Sequence, residues 1–572
     1  MASITKKMVR GHAYYYAREC KRVGGKPKIV WQKYLGKLED IVTALDERRQ
    51  GRPIPQAENE SLVTEFGAAA ALYDLSHRLD LVTLIDRHVP KRGSGPSVGT
   101  YLLAATLNRC LAPRSKARVA EWFDQTVLRR LLDIKSKQLT SQRFWDNMER
   151  VSEDAIAAIE SELARRVVEE FDLDLSRVLF DATNYFTFID TFNEKSKLAQ
   201  RGHSKEGRAS LRLVGLALLV SADGHIPLLH HTYPGNQSDA PTFASLTDAL
   251  VARLKHLSEE VEHITVVFDK GNNSEANLVA VDTAPFHFVG SLVPTQHPDL
   301  LEISDDHFAS RAPDGLPAVR TYRTTKEVFG AERAVVVAYN ENLFVAQSKT
   351  LLREIGKRQR GLAEIADRLG RWRRGEVRGG RSPTYQGTLN AVNTVLKGRH
   401  MKDLFEVEVR LTDDLPDLAY RFRHDAWEEL QRTLLGKTLL FTDNDTWSDA
   451  DIVRAYRAQY HIEDGFRAMK DPHYITLRPQ FHWTDQKVRV HVFTCVLAFL
   501  LLSLLRRELA RRSLALSIRR MLELLGGIRE VITVFPPEAG QTEPTLRTSL
   551  TRMSPQQRAL FQTLDLKRYT AS

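Results

Sequence analysis

The sequence predicts a mixed α/β fold flanked by helical regions, and three observations support this prediction. Residues 62–170 carry apolar side chains at three-and-four spacing, the period of amphipathic helices. Residues 176–294 instead contain short runs of β-branched and aromatic residues, which are typical of strands. Residues 448–530 return to a helical pattern that includes a long apolar run. The chain is therefore expected to fold as a helical block, a strand-rich core and a second helical block.

The first 60 residues are predicted to form a basic hairpin region. Residues 1–38 hold ten basic residues and one acidic residue, which accounts for nearly all of the formal surplus of +10. A turn at Gly24-Gly25 separates two strand-like runs, as in a hairpin. Basic and aromatic side chains alternate here, with Lys26 and Lys28 after the turn, so this region is predicted to contact DNA. The alternative is an ordinary small sheet with lysines on its solvent-facing side. Residues 50–60 have the composition of a linker.

Residues 61–172 are predicted to form a helical domain for DNA binding or oligomerisation, with prolines and glycines between its helices. The core begins within residues 173–299, with a strand that runs into Asp181. A hairpin follows, with its turn at Asp223-Gly224, and then a helix with Asp239 as its N-cap. A short apolar strand ends at Asp269, and one more strand comes after it. This order of strand, hairpin, helix, strand and strand predicts a mixed sheet.

The rest of the chain is predicted to hold an insertion, the second part of the core and a tail. Residues 300–447 are predicted to be a largely β insertion domain with one charged helix. Its arginine-rich run includes Arg373 and Arg374, which either bind phosphate or are simply solvated. Residues 448–530 complete the core, and their apolar run at 492–505 is too short to span a bilayer, which predicts a buried helix. Residues 531–572 are the C-terminal tail.

The composition excludes several classes of protein. An apolar content of 42% describes an ordinary globular chain with a large core. The three cysteines include no C-x-x-C pair, which argues against a disulfide framework or a zinc site and fits a reducing cytoplasm. The N-terminus is charged from Lys6 onward, unlike a signal peptide. A cytoplasmic protein is therefore expected.

Two aspartates are placed where a metal site can form. Asp181 follows Val-Leu-Phe and Asp269 follows Val-Val-Phe, so each is expected at the end of an apolar strand. A carboxylate buried there needs a partner such as a metal ion, and strand ends are where sites form in open α/β sheets. If the two strands are neighbours, the paired oxygen ligands suit Mg²⁺ or Mn²⁺. Two such ions, about 4 Å apart, can activate a water or a 3′-hydroxyl and stabilise the departing oxygen of a phosphodiester.

A third carboxylate is predicted on the helix that contains residues 456–470, YRAQYHIEDGFRAMK. Residues seven apart in a continuous helix differ by only about 20° in direction, so Tyr456, Glu463 and Lys470 would share one face. Glu463 would be the third metal ligand, with Lys470 on a phosphate and Tyr456 bonding or stacking beside it. The alternative for such a trio is a solvated face with an aromatic at its edge. Asp464 is a rival third carboxylate, but it points about 100° away from this face.

Three motifs, in this order along the chain, resemble those of the DDE transposases of bacterial insertion sequences. They are D-A-T-N-Y-F at 181–186, F-D-K-G at 268–271 and Y-x6-E-x6-K at 456–470. The similarity is greatest to the IS-four-like superfamily, whose third motif is Y-x2-R-x3-E-x6-K. The runs G-H-S-K-E-G-R at 202–208, P-G-N-Q-S-D at 234–239 and R-P at 478–479 are similar to the same group. The arginine of the third motif is Gln459 in this chain, so that DNA contact is left out of the predicted site.

The resemblance implies an RNase H-like catalytic domain that uses two Mg²⁺ or Mn²⁺ ions. It assigns catalysis and metal binding to three residues, Asp181, Asp269 and Glu463. It implies DNA contacts for Tyr456 and Lys470, and Arg467 is a nearby cation that is predicted to join them. The implied function is cut-and-paste transposition, in which a dimer binds the terminal inverted repeats, cleaves the ends and joins them to target DNA. Such a protein would work in the bacterial cytoplasm, at the nucleoid when bound to DNA.

Two other functions stay open at this point. A nuclease of the same fold that does not transfer strands would carry the same three carboxylates. A DNA-binding protein that has lost catalysis would keep the basic regions, although the intact carboxylates speak against it. Joined products in a reaction with donor and target DNA would separate the transposase from the nuclease.

Overall fold

The computed structural model divides the chain into two compact units. The larger unit comprises Phe66–Gly526 and Pro555–Tyr569, and the smaller comprises Met1–Glu65, Gly527–Ser554 and Thr570–Ser572. The structure describes residues 2–9, 12–23, 26–42, 60–91, 93, 95–207, 210–309, 312–377, 379–478, 481–536 and 545–571. The predicted turn at Gly24-Gly25 and nearly all of the predicted linker at 50–60 lie outside these residues.

Sixteen strands and nineteen α-helices have described bounds and are numbered in chain order; residues 38–42 are helical as well. The strands are β1 (Ala2–Val9), β2 (His12–Val23), β3 (Lys26–Gly36), β4 (Glu60–Glu65), β5 (Arg177–Thr187), β6 (Arg212–Ser221), β7 (Pro227–Pro234), β8 (Thr265–Phe268), β9 (His287–Ser291), β10 (Val319–Val328), β11 (Ala331–Asn340), β12 (Phe405–Thr412), β13 (Leu415–Phe422), β14 (Lys437–Thr442), β15 (Arg529–Phe535) and β16 (Thr545–Leu550). The helices are α1 (Gly67–Arg78), α2 (Leu81–His88), α3 (Val98–Leu111), α4 (Val119–Asp124), α5 (Leu128–Leu131), α6 (Ser141–Glu149), α7 (Glu153–Phe171), α8 (Asp239–Leu257), α9 (Glu275–Asp282), α10 (Pro298–Leu301), α11 (Glu341–Arg373), α12 (Tyr385–Val395), α13 (Met401–Leu404), α14 (His424–Thr433), α15 (Asp449–Arg457), α16 (Tyr460–Met469), α17 (Asp485–Arg511), α18 (Ile518–Gly526) and α19 (Pro555–Thr563).

An eight-stranded mixed sheet organises the larger unit, in the order β10-β11-β14-β9-β8-β5-β6-β7. Strands β5, β8 and β9 run parallel to one another, and every other neighbouring pair in this sheet is antiparallel. The predicted hairpin is β6 and β7, and α8 follows it before β8 and β9, as the sequence predicts. The predicted α/β class with a large mixed sheet is therefore confirmed.

Aromatic rings fill one face of this sheet beneath the two aspartates. Phe243 of α8 packs edge-on against Phe180 of β5, with ring centroids 5.0 Å apart. The ring centroid of Phe243 is also 5.1 Å from that of Phe268 in β8. Phe268 in turn stacks on Phe288 of β9 at 5.6 Å. Successive side chains of a strand point to opposite faces. Asp181, one residue beyond Phe180, therefore faces away from the aromatic layer, toward the other side of the sheet.

Helix α16 packs against β5 and α17, and α17 packs against α1, α3 and α7. The apolar run at 492–505 predicts a buried helix here, and α17, with 27 residues, contains this run and extends beyond it at both ends. By length and composition alone α17 could cross a membrane, but 94% of its most apolar window is buried inside the protein. The prediction of a buried core helix is therefore confirmed.

The prediction of a largely β insertion at 300–447 is wrong in two respects. Strands β10, β11 and β14 belong to the main sheet, where β11 pairs with β14 and β14 pairs with β9. The segment between β11 and β14 is mainly helical, with α11 to α14 around one two-stranded sheet, β12 and β13. It has its own hydrophobic core, which includes Leu362, Leu369 and Trp427. Apolar strands that extend a sheet and strands that form a separate domain share one sequence pattern, so the sequence could not distinguish them.

Two small antiparallel sheets form the smaller unit. Strand β2 lies between β1 and β3, so the predicted hairpin is present, with an additional strand before it. Strand β15 lies between β4 and β16. Residues 62–65, predicted to be helical, belong to β4 because they pair with β15.

Candidate active site

Asp181 and Asp269 lie side by side on neighbouring parallel strands. In the parallel pairing of β5 with β8, the last paired residues are Phe180 and Phe268. Asp181 and Asp269 come directly after them and therefore lie at the same level of the sheet. The prediction that the first strand ends at Asp181 is wrong. Strand β5 continues to Thr187 because it stays paired with β6. Asp269 does follow the last residue of β8, and both aspartates are partly buried.

The three predicted carboxylates line one cavity. Its volume is about 750 Å³, and Asp181, Asp269 and Glu463 all form part of its wall. Asp269 and Glu463 also line a second cavity of about 410 Å³. Asp464, the rival third carboxylate, instead forms an ion pair with Arg467 at 2.5 Å. Helix α16 therefore directs Glu463, and not its neighbour, toward the aspartates.

The prediction of one continuous helix through residues 456–470 is wrong. Helix α15 ends before residue 458, and α16 begins after residue 459. At this junction the Gln459 N–H donates to Tyr456 O, three residues back, at 3.0 Å, as in the tighter 3₁₀ turn. Glu463 lines both cavities, whereas Tyr456 lines only the smaller one and Lys470 only the larger one, so the predicted trio is divided between two cavities that share Glu463.

Gln459 joins this turn to strand β5. Its side chain is only 7% exposed, and its Nε2 donates to Phe180 O at 3.0 Å. Phe180 immediately precedes Asp181. Gln459 therefore connects the helix that carries Glu463 to the strand that carries Asp181, and this position has a structural role in this chain.

Asp269 is held by two hydroxyl groups. Ser291 Oγ donates to Asp269 Oδ1 at 3.0 Å. The Tyr456 hydroxyl lies 2.9 Å from the same oxygen and 3.0 Å from Ser291 Oγ. Burial, followed by the charge of Asp269, raises the pKa of Tyr456, so the hydroxyl keeps its proton as a donor. Two contacts to one oxygen fix the orientation of the Asp269 carboxylate.

Lys470 lies in a polar pocket beside β5. Its Nζ donates to Thr183 Oγ1 and Asn184 O, both at 2.8 Å, and lies 3.2 Å from Glu206 Oε1. Arg478 Nε is 3.2 Å from the same Glu206 oxygen. Burial lowers the pKa of Lys470, and the neighbouring Glu206 opposes this shift. Lys470, which is predicted to contact a phosphate, therefore already has a carboxylate partner in this structure.

The other predicted DNA-binding residues are distributed over the chain. Arg467 is 77% exposed and lines the cavity of the three carboxylates. Arg373 and Arg374 lie at the end of α11 and pair with neighbouring carboxylates at 3.3 and 2.6 Å. Lys28 is exposed on β3 of the smaller unit, and the side chain of Lys26 lies outside the described residues. The DNA contacts of all five stay predictions.

The donor chemistry at the cavity fits a divalent cation. Asp181, Asp269 and Glu463 offer only carboxylate oxygens, the ligands that Mg²⁺ and Mn²⁺ prefer. Across the described residues, no group of three or more His, Cys, Asp or Glu side chains is already arranged to hold a metal ion. Asp181 Oδ1 instead accepts a hydrogen bond from the Ala182 N–H at 2.7 Å. The carboxylates share a cavity, but side-chain movement is needed before they converge on a cation.

Sequence reasoning assigned no role to four residues that the structure places at this site: Gln459, Ser291, Glu206 and Arg478. Ser291 ends an apolar strand beside β8, which is the pattern that identified the aspartates, so the sequence offered a signal for it. Glu206 lies in the motif at 202–208 and Arg478 in the motif at 478–479, but no sequence pattern indicates that they pair with each other.

The sequence matches a known protein family over much of its length. Residues 174–501, more than half of the chain, match the family described as Transposase DDE domain. No curated protein matches the chain by sequence. A solved piggyBac transposase synaptic complex with hairpin DNA is 8% identical, with a TM-score of 0.33, and the match covers 80% of this chain and 78% of that chain. A Mos1 transposase paired-end complex with the left transposon end is 12% identical, with a TM-score of 0.15, over 37% of this chain and 63% of that chain.

Proposed function

Because the chain belongs to the Transposase DDE domain family, we propose that it is a DNA transposase that cleaves and joins DNA at the cavity lined by Asp181, Asp269 and Glu463. That shared cavity is the observation that carries the proposal. Two of the carboxylates lie at one level of adjacent parallel strands, and the third comes from a helix packed on β5. Acidic side chains that line one cavity repel one another, so their grouping favours a role in binding cations.

Each side chain has its own part in the proposed reaction. The three carboxylates would hold one or two Mg²⁺ or Mn²⁺ ions, which when bound would activate a water or a 3′-hydroxyl and stabilise the leaving oxygen. Ser291 and Tyr456 orient Asp269 through its Oδ1. Lys470 would neutralise a backbone phosphate beside the cleaved bond. No protein nucleophile is required, because the attacking oxygen comes from water and then from the DNA end.

The substrates of the proposed reaction are the terminal inverted repeats of the element that encodes the chain, together with a target DNA. The motifs at 202–208 and 234–239, which are similar to those of the IS-four-like superfamily, support this choice. The basic residues in positions 1–38 and the arginine-rich end of α11 would supply sequence-independent phosphate contacts. A dimer would hold both ends of the element together during cleavage and joining.

The proposal is tested with a donor plasmid that carries the repeats flanking this gene, a target plasmid, and Mg²⁺. Wild-type protein should excise the element and join it to the target. Asp181→Asn, Asp269→Asn and Glu463→Gln should each lower the cleavage rate by at least about 100-fold, because each removes a charged metal ligand. Asp464→Asn is the matched control, since it removes an adjacent carboxylate of the same helix, and it should cleave normally.

Three results would contradict the proposal in different ways. Loss of cleavage in Asp464→Asn but not in Glu463→Gln would show that the third carboxylate is misassigned. Cleavage by the wild type without joined products would favour the nuclease. Specific binding to the repeats with no cleavage by the wild type would favour a DNA-binding protein that has lost catalysis.

A further inference from the structure

Glu206 lies between two cations in the cavity that holds the three carboxylates. Its Oε1 is 3.2 Å from Lys470 Nζ and 3.2 Å from Arg478 Nε. All three side chains line that cavity. The side chains of Glu206 and Lys470 are only 19% and 12% exposed, so water and salt screen their attraction less than at an open surface. One carboxylate oxygen therefore partners two cations at once.

The loop that carries Glu206 is attached to strand β5 independently of these ion pairs. The Lys205 N–H donates to Asn184 Oδ1 at 3.1 Å, and Asn184 Nδ2 donates in return to His203 O at 2.8 Å. Lys205 Nζ donates to Ala182 O at 2.6 Å. These bonds hold Glu206 close to Lys470 even when its carboxylate is not engaged. Replacing the Glu206 carboxylate should therefore leave the loop in place.

The charges that line this cavity do not favour the binding of a polyanion such as DNA. Its lining includes five carboxylates, those of Asp181, Glu206, Asp269, Glu463 and Asp471. It includes only four cations, those of Lys205, Arg467, Lys470 and Arg478. The DNA backbone carries one negative charge per phosphate, so a phosphate must find cations that are not already neutralised. Lys470 and Arg478 meet this requirement only when Glu206 releases them.

We infer that Lys470 and Arg478 form one binding subsite for a DNA backbone phosphate, and that Glu206 occupies this subsite in the free protein. The inference rests on the proposed function, because it requires that DNA enters this cavity. Carboxylate and phosphate oxygens accept the same charge-assisted hydrogen bonds from ammonium and guanidinium groups. An incoming phosphate therefore competes with Glu206, and the competition weakens binding to DNA that makes few other contacts.

The test measures DNA affinity as a function of salt concentration in EDTA, with a fluorescent duplex of arbitrary sequence followed by anisotropy. Phosphate contacts do not depend on sequence, and each one steepens the plot of log K against log salt by about 0.9. Glu206→Gln should bind the duplex about 3–10-fold more tightly than the wild type at low salt and should steepen the slope by about 1–2. Circular dichroism would confirm that the variant is folded.

Two variants serve as controls. Asp299→Asn removes one negative charge from the ion pair of Asp299 with Lys326, so it changes the net charge by the same amount as Glu206→Gln. It should leave the salt slope unchanged. The double variant Glu206→Gln/Lys470→Gln should lose at least half of the increase in salt slope that Glu206→Gln shows over the wild type.

An unchanged or shallower slope in Glu206→Gln would overturn the inference, as would an absence of binding by both proteins at low salt. The proposed function stands or falls separately on cleavage. Wild-type cleavage combined with an unchanged Glu206→Gln slope would contradict only the phosphate subsite, whereas a steeper slope without any cleavage would contradict only the transposase.

Discussion

The Asp269 carboxylate shows how much a single residue of this site depends on its neighbours. Two hydroxyl groups contact the same oxygen, one from β9 and one from α15. The motif F-D-K-G was enough to select Asp269 from the sequence. The sequence did not identify the partners of Asp269, because Ser291 and Tyr456 contact it only after three separate segments have packed together.

Tyr456→Phe and Ser291→Ala should each slow DNA cleavage by about 10–100-fold, because a hydrogen bond to a charged group contributes about 1.5–3 kcal/mol. The measurement is the single-turnover cleavage rate at saturating DNA over a series of Mg²⁺ concentrations. DNA affinity should change little, because both hydroxyls are engaged with Asp269 and with each other, and Tyr456→Phe keeps the aromatic ring that could contact DNA.

The two substitutions should not be additive. The hydroxyls of Tyr456 and Ser291 lie 3.0 Å apart, so removal of one changes the environment of the other. The double variant should therefore show a coupling energy of at least about 0.5 kcal/mol in the cleavage barrier. Strictly additive effects would indicate that the two hydroxyls act on Asp269 independently.

At the scale of elements, the turn between α15 and α16 decides where Glu463 is placed. The sequence pattern of residues 456–470 fits one straight helix, and nothing in it marks the break at 458–459. The break is stabilised from outside the segment, by the Gln459 side chain bonded to β5. Local periodicity therefore predicted the helical character of this segment but not its interruption.

Gln459→Ala should lower the cleavage rate by about 10-fold or more while DNA affinity stays near that of the wild type. The lost hydrogen bond should also lower the free energy of unfolding by about 1 kcal/mol. Gln486→Ala is a matched control, because Gln486 Nε2 likewise joins two elements, by donating to Met148 O and Val151 O. It should lose similar stability, measured by urea unfolding, but retain cleavage. Equal loss of cleavage in both variants would mean that Gln459 acts only through stability.

Two glycines in different elements should respond in opposite ways to alanine. A Cβ at Gly356, within α11, would meet no atom within 4 Å, so Gly356→Ala should stabilise the protein by about 0.5–1 kcal/mol. A Cβ at Gly290, in β9, would lie 2.6 Å from the ring of Phe441, so Gly290→Ala should destabilise it by about 1–3 kcal/mol. Thermal unfolding of both variants checks the prediction. A stabilising Gly290→Ala would show that the sheet tolerates displacement of that ring.

At the scale of the whole molecule, the larger unit contains several histidines whose lowered pKa makes its stability depend on pH, and His231 and His482 are two of them. Burial lowers the pKa of His231 to about 4 and that of His482 to about 3. In the unfolded chain both would bind a proton near pH 6.5. The unfolded state therefore binds more protons than the folded state below that pH. The stability contribution is complete above pH 6.5 and is lost as the pH falls toward the folded pKa values.

The expected loss near pH 5 is on the order of 1–2 kcal/mol per histidine. Urea unfolding at a series of pH values between 7.5 and 5 measures it, and His482→Gln should flatten the curve because it removes one of the titrating histidines. A pH profile that is the same in the wild type and in His482→Gln would contradict the assignment of His482 to this effect.

The sequence by itself determined the class of fold, the order of the core elements, and three of the five acidic residues that line the cavity. It could do so because helix and strand periodicity are local properties, and because an aspartate directly after an apolar run is costly to bury without a partner. Only the tertiary structure decided that β10, β11 and β14 belong to the main sheet and that Gln459, Ser291 and Glu206 support the site. Those roles depend on hydrogen bonds and ion pairs between segments far apart in the chain. Such contacts are fixed by strand register and helix packing, which leave no regular pattern in the sequence.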